Sequence, residues 1–204
     1  MLYGLVPVRP HVPEGLTIIF NAPQRRGKTL TGVLWALDAY QHGRRVFSNI
    51  QLGFPHEPIQ FHEIKLQDGQ SPYWNGHIFI DELNFYYDCR RSMKEVNLQH
   101  GAFLLQQKKQ GCNLTGTTHS IDSLDLRLRD NYDYEIVPTV YPAYPAPPQV
   151  LVMEIFNGPM QADYYNKLTL DCRPFLGLYD SFAVYDPYKA IPKEPKPQRP
   201  SVLL

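Results

Sequence analysis

The sequence predicts an α/β fold with a mostly parallel central sheet flanked by helices, and three observations predict it. A short apolar run, residues 16–20, leads through a polar loop into a helix-compatible segment, residues 30–40, and then to a second strand, 45–50. Strand, helix, strand in that order favours a right-handed crossover and parallel pairing. The run His77-Ile78-Phe79-Ile80 reads as a largely apolar strand that leads directly into two acids. Beyond Tyr132 the pattern changes to alternation, which signals a β extension added to that sheet.

Each element has its own local justification. Pro7, Pro10 and Pro13 make residues 1–15 an extended lead-in. Apolar Leu30, Val33, Leu34, Ala36 and Leu37 recur at helical spacing over 29–40, and Gly43 stops that helix. Residues 51–76 are rich in Pro, Gly and polar groups, with a short strand expected at 59–61. A helix is expected over 95–110, ending in Lys108-Lys109-Gln110-Gly111, then a strand over 112–118. A short helix over 121–129 would be capped by Ser120 or Asp122. Strands at 134–137 and 150–156 flank prolines 138, 142, 145, 147 and 148, which predicts a two-stranded arm with a stiff tip within 132–160. Residues 1–185 read as one domain, and 186–204 as a Pro-rich basic tail that cannot bury a core.

Composition excludes several classes. Twenty basic and twenty acidic residues give a net charge of zero, so any surface for a polyanion must be local. Cys89, Cys112 and Cys172 are too few and too scattered for a zinc site or a disulfide framework, and they suit a reducing compartment. No signal peptide and no transmembrane run is visible, so a soluble protein inside the cell is expected.

The chemistry is concentrated in Ala22-Pro23-Gln24-Arg25-Arg26-Gly27-Lys28-Thr29, followed by Leu30. Between a strand and a helix this is a Walker A phosphate loop. Gly27 lets the backbone curl so that successive N–H groups face phosphate oxygens. Lys28 supplies a cation for the β- and γ-phosphates, and Thr29 a hydroxyl for Mg²⁺. Ala22 stands where the first glycine of the motif belongs, and a small residue still allows the tight turn. The strand 77–80 then runs into Asp81-Glu82, a Walker B pair: the first acid for Mg²⁺, the second to deprotonate the attacking water. ATP and Mg²⁺ are the expected cofactors. His119, with Thr118 second, ends the next strand where a γ-phosphate sensor would stand. Arg127 and Arg129, and also Arg90 and Arg91, are candidates for an arginine donated to a neighbour's nucleotide.

These motifs together define a P-loop NTPase of the RecA/ASCE-like type. With the strand ending Ser48-Asn49-Ile50 and the strand end Thr117-Thr118-His119-Ser120, the chain resembles the FtsK–HerA group over about residues 16–140, in particular the genome-packaging NTPases of archaeal turreted icosahedral viruses. It is also similar to the zonula occludens toxin-like assembly ATPases of filamentous phages. His119 stands where those families usually have Gln. The resemblance implies ATP-driven movement of double-stranded DNA into a preformed capsid by a homo-oligomeric ring, in the host cytoplasm or on the virion, with a capsid or membrane-vertex protein as partner. The alternative it implies is an assembly or secretion ATPase acting on protein. The toxin-like proteins normally carry a transmembrane helix after the ATPase domain, so the lack of one here favours packaging. A kinase and a nucleotide-binding structural protein are the remaining readings, and Asp81-Glu82 argues for water as the acceptor.

Overall fold

The computed structural model describes residues 15–60, 63–67, 71–89, 98–159 and 163–180. Its strands are β1 (Thr17–Asn21), β2 (Val46–Ser48), β3 (Glu57–Pro58), β4 (His77–Ile80), β5 (Asn113–Thr118), β6 (Tyr134–Tyr141), β7 (Val150–Asn157) and β8 (Tyr164–Asp171). The helices are α1 (Lys28–Gln41), α2 (Leu98–Gln106) and α3 (Leu126–Arg129). All eight strands form one sheet in the order β3-β2-β4-β5-β1-β6-β7-β8. Pairing is parallel from β3 to β6 and antiparallel from β6 to β8.

Alternation along β1 sorts its side chains onto two cores. Ile18 and Phe20 join Leu30, Val33, Trp35 and Phe79 on the α1 face, whereas Ile19 joins Phe103, Leu104 and Leu114 on the other. Burying side chains of this size contributes about 1.5–3 kcal/mol each relative to exposure. Helix α1 lies so close to the sheet that a Cβ on Gly32 would sit 2.1 Å from the Phe79 ring.

Within 132–160 the two expected strands pair as β6 and β7, and a third, β8, adds to β7 beyond them and turns Leu168 and Leu170 towards the α1-side core. Three local expectations are corrected. Strand β6 runs through Pro138 to Tyr141. It pairs with β1 only as far as Ile136, so beyond that point one side is an open edge where a proline is tolerated. The short strand expected at 59–61 is instead β3, at Glu57–Pro58, and Phe61 lies outside the described residues. The segment 121–129 divides into a 3₁₀ turn (Ile121–Ser123) and α3. Extended Leu124 separates them, and Asp125 caps α3 by accepting from the Arg127 N–H.

After β8 the chain doubles back. A 3₁₀ turn (Arg173–Phe175) leads into a strap whose Phe175, Leu176, Leu178 and Tyr179 pack on the α1-side core. The Gly53 N–H donates to Leu178 O at 2.6 Å, and Leu52 bridges Tyr179 in antiparallel fashion. Trp35, in that same core, has no solvent exposure. The expected lead-in 1–14, Arg90, Arg91, the start of the helix expected at 95, and the tail 186–204 lie outside the described residues. No helix among the described residues is long and apolar enough to cross a membrane.

Candidate functional site

The loop after β1 is shaped by two left-handed residues, Arg25 (φ 61) and Gly27 (φ 96). Gly27 is required on two counts. Its φ is one that side chains disfavour, and a Cβ there would meet Val140 Cγ1 at 2.7 Å, so the loop rests directly on β6. Ala22 is buried, whereas Pro23, Gln24, Arg25 and Arg26 are exposed, and the Arg25 guanidinium sits 3.9 Å over the Tyr144 ring in the β6–β7 tip. Leu30, one turn further on, faces the core.

Lys28 is the buried cation of the loop. Its Nζ donates to Pro23 O at 3.1 Å and lies 3.0 Å from His119 Nδ1. An ammonium has only donors, so Nδ1 must accept. That places the imidazole hydrogen on Nε2, 3.1 Å from Glu82 Oε1, which can only accept. One neutral ring therefore joins the loop lysine to the second acid of the β4 turn. Burial pushes the Lys28 ammonium below its ordinary range, against the opposing pull of Glu82 and Asp81.

Asp81 follows β4 and is held from β5, from the first turn of α1 and from the residue after β2. Its Oδ1 accepts from Thr117 Oγ1 at 2.8 Å and from Thr29 Oγ1 at 3.1 Å. The Asn49 side chain, just past β2, accepts from the Asp81 N–H at 2.8 Å and donates to Asp81 O at 2.9 Å. Burial raises the Asp81 carboxyl and the Glu82 charge adds to this, while the hydroxyl bonds and Lys28 act the other way. Glu82 has a left-handed backbone (φ 58), and its N–H donates to Thr117 Oγ1 at 2.8 Å.

These groups meet in a cavity of about 330 Å³ at the C-terminal edge of the parallel strands, lined by Gln24, Lys28, Thr29, Asp81, Glu82 and His119, where sites in open α/β sheets form. Ile50, Tyr179 and Asp180 also line it. Burial and the nearby Asp81 charge push the Tyr179 phenol up to about 12, so it remains a hydrogen-bond donor at neutral pH.

A hard divalent cation fits this donor set. The Thr29 hydroxyl and Asp81 carboxylate are already in contact, and both offer oxygen. Among the described residues no cluster of three or more His, Cys, Asp or Glu competes as a metal cage. Magnesium is held in this way when substrate phosphates and water supply its remaining ligands.

The arginines are placed less centrally. Arg127 forms a two-point contact with Asp125, Nε to Oδ1 and Nη2 to Oδ2, both at 2.9 Å. Arg129 lines a second cleft of about 610 Å³ with Asn21, Tyr132 and Glu135. Thr118 turns away from Asp81, with its hydroxyl on Asn84 Oδ1 and Ser120 O. The sequence reading missed Asn49, Thr117, Tyr179 and Asp180 as site residues. Strand alternation from His119 back to Thr117 was the one available signal.

No protein-family model matches the sequence, and no curated protein matches it. Solved structures do match. The N-terminal domain of zonular occludens toxin from Neisseria meningitidis has a TM-score of 0.58 and 17% identity, covering 82% of this chain and 100% of that one. The genome packaging NTPase B204 from Sulfolobus turreted icosahedral virus 2, in complex with AMP, has a TM-score of 0.51 and 12% identity, covering 76% of this chain and 98% of that one. The same NTPase with ATP-gammaS gives 0.50 and 11%, covering 70% and 92%. At these identities the likeness is one of fold. This chain has the P-loop NTPase fold, similar to that of the toxin domain and the packaging NTPase.

Proposed function

We propose that this chain is a magnesium-dependent ATPase that drives double-stranded DNA into a preformed viral capsid, working as a ring of identical subunits. The observation that carries the hydrolytic part is the convergence of Lys28, Thr29, Asp81, Glu82 and His119 on one cavity. N–H groups of residues 24–28 and the first turn of α1 bind the phosphates, and Lys28 leaves His119 for the β- and γ-phosphate oxygens. Thr29 and Asp81 hold magnesium, which when bound offsets the charge that develops on the phosphates. Glu82 takes a proton from water as its oxygen bonds the γ-phosphorus and the bond to the ADP oxygen breaks. His119 Nε2 keeps that carboxylate oriented. An arginine from the neighbouring subunit completes charge stabilisation, with Arg127, Arg129, Arg90 and Arg91 as the candidates.

The likeness to a genome packaging NTPase supports DNA as the cargo. The cargo assignment is tested by turnover with and without duplex DNA at low and high salt, since phosphate contacts weaken as salt rises. Stimulation that fades with salt is expected. Turnover indifferent to duplex at low salt would favour the second reading, an assembly ATPase acting on a protein partner. That reading draws on the higher TM-score of the toxin domain. The basic tail 186–204 and a capsid or membrane-vertex partner belong to either reading as a tether and its anchor.

A further inference from the structure

The residues at the β2, β4 and β5 strand ends do more than hold magnesium. Strand β4 ends at Ile80, and the main-chain ladder to β2 ends with the pairing of Ser48 and Phe79. Beyond it the Asp81 peptide would have no strand partner on that side. Asn49 replaces the missing backbone with a single side chain, taking the Asp81 N–H on Oδ1 and giving Nδ2–H to Asp81 O. The same Nδ2 lies 3.4 Å from the hydroxyl of buried Tyr86, which helps fix the amide orientation. On the β5 side, Thr117 Oγ1 accepts the Glu82 N–H and donates its own hydrogen to Asp81 Oδ1. Both peptides flanking the Asp81 Cα are thus pinned, and the next residue, Glu82, turns left-handed at φ 58. Such a conformation is disfavoured for a residue with a Cβ and persists only where its surroundings over-determine it.

We propose that Asn49 and Thr117 are positioning residues that impose this conformation on Glu82 and so aim its carboxylate at the reacting water. The inference rests on Glu82 being the base. Neither residue needs to touch substrate. Asn49 acts through the Asp81 peptide, and Thr117 through the Glu82 amide. A purely structural role, in which Asn49 merely ends a strand, predicts lower stability without a selective effect on the chemical step.

The two accounts separate in steady-state ATP turnover of the full chain. Asn49→Ala is expected to lower kcat by about 10²-fold, the scale of a misplaced catalytic group, while KM and nucleotide affinity stay within about twofold. Thr117→Val, which keeps the shape and removes the hydroxyl, is expected to lower kcat similarly, and Thr117→Ser to restore it. In a Glu82→Gln background, Asn49→Ala should leave the residual rate unchanged, because residues acting through one group are not additive. If Asn49→Ala does not fold, the Thr117 pair decides. Wild-type kcat in Asn49→Ala or Thr117→Val, or an equal further loss in the Glu82→Gln background, overturns the proposal. Full turnover in Glu82→Gln alone would instead remove the base assignment beneath it.

Discussion

Lys28 Nζ and Glu82 Oε1 grip opposite edges of the same imidazole, at 3.0 Å on His119 Nδ1 and 3.1 Å on Nε2. The loop cation and the second acid after β4 are therefore coupled through one ring. In the proposed mechanism a γ-phosphate that takes Lys28 would remove the donor from Nδ1 and leave Nε2 on Glu82.

His119 therefore has two separable functions, accepting from Lys28 and donating to Glu82. Glutamine retains one acceptor and one donor on a comparable arm, whereas leucine retains neither. His119→Gln should keep most turnover, and His119→Leu should lose on the order of tenfold or more in kcat. Steady-state kinetics at saturating ATP checks this. Equal rates for the two variants would remove His119 from the coupling.

Asp81 carries its charge at a cost to the free fold. Burial raises its carboxyl above the ordinary range, so the folded state binds the proton more tightly than the unfolded state does. Stability from this group is fully present below the unfolded value and is lost as pH rises through the folded one. Asp81→Asn, which keeps an acceptor for Thr29 and Thr117, should raise Tm at neutral pH without nucleotide, by about 2–4 °C per kcal/mol released. The gain should shrink as pH falls towards the ordinary carboxylate range. Thermal melts across pH measure it, and a gain that grows on acidification contradicts the sign.

The phosphate loop and the acidic pair were legible because phosphate chemistry demands contiguous residues: a glycine that can turn, a lysine beside it, a hydroxyl next. Asn49 and Thr117 were not, because their roles arise from strands meeting side by side, and neither neighbour is near in sequence. Strand β8 escaped notice because it is an edge strand in which only Asn166, Leu168 and Leu170 turn partly inward, so its apolar signal is thin. Pro138 read as a strand end because an open edge that tolerates a proline is a tertiary fact.

Gly27 is constrained both by backbone and by space. An alanine there must hold φ 96 and bring its Cβ to 2.7 Å from Val140 Cγ1. Gly27→Ala should destabilise the fold by about 1 kcal/mol or more and weaken ATP binding. Adding Val140→Ala relieves the collision without changing the φ requirement, so it should recover part of the loss and not all of it. Denaturant midpoints and nucleotide titration measure both. Complete recovery would mean that crowding alone fixes the glycine.

Tyr179 reaches the cavity only because the strap returns from β8, bridging Leu52 beside the segment that leaves β2. Its phenol, pushed up to about 12, stays protonated through the physiological range and lines the cavity proposed to take the phosphates. Removing the hydroxyl alone, Tyr179→Phe, keeps the ring against the core. It should raise the KM for ATP by about twofold to tenfold, the worth of one neutral hydrogen bond. Tyr179→Ala should lower Tm as well, since the strap then loses its aromatic anchor on the α1-side core. A Phe variant with unchanged KM beside an Ala variant with lowered Tm would restrict Tyr179 to fastening the strap.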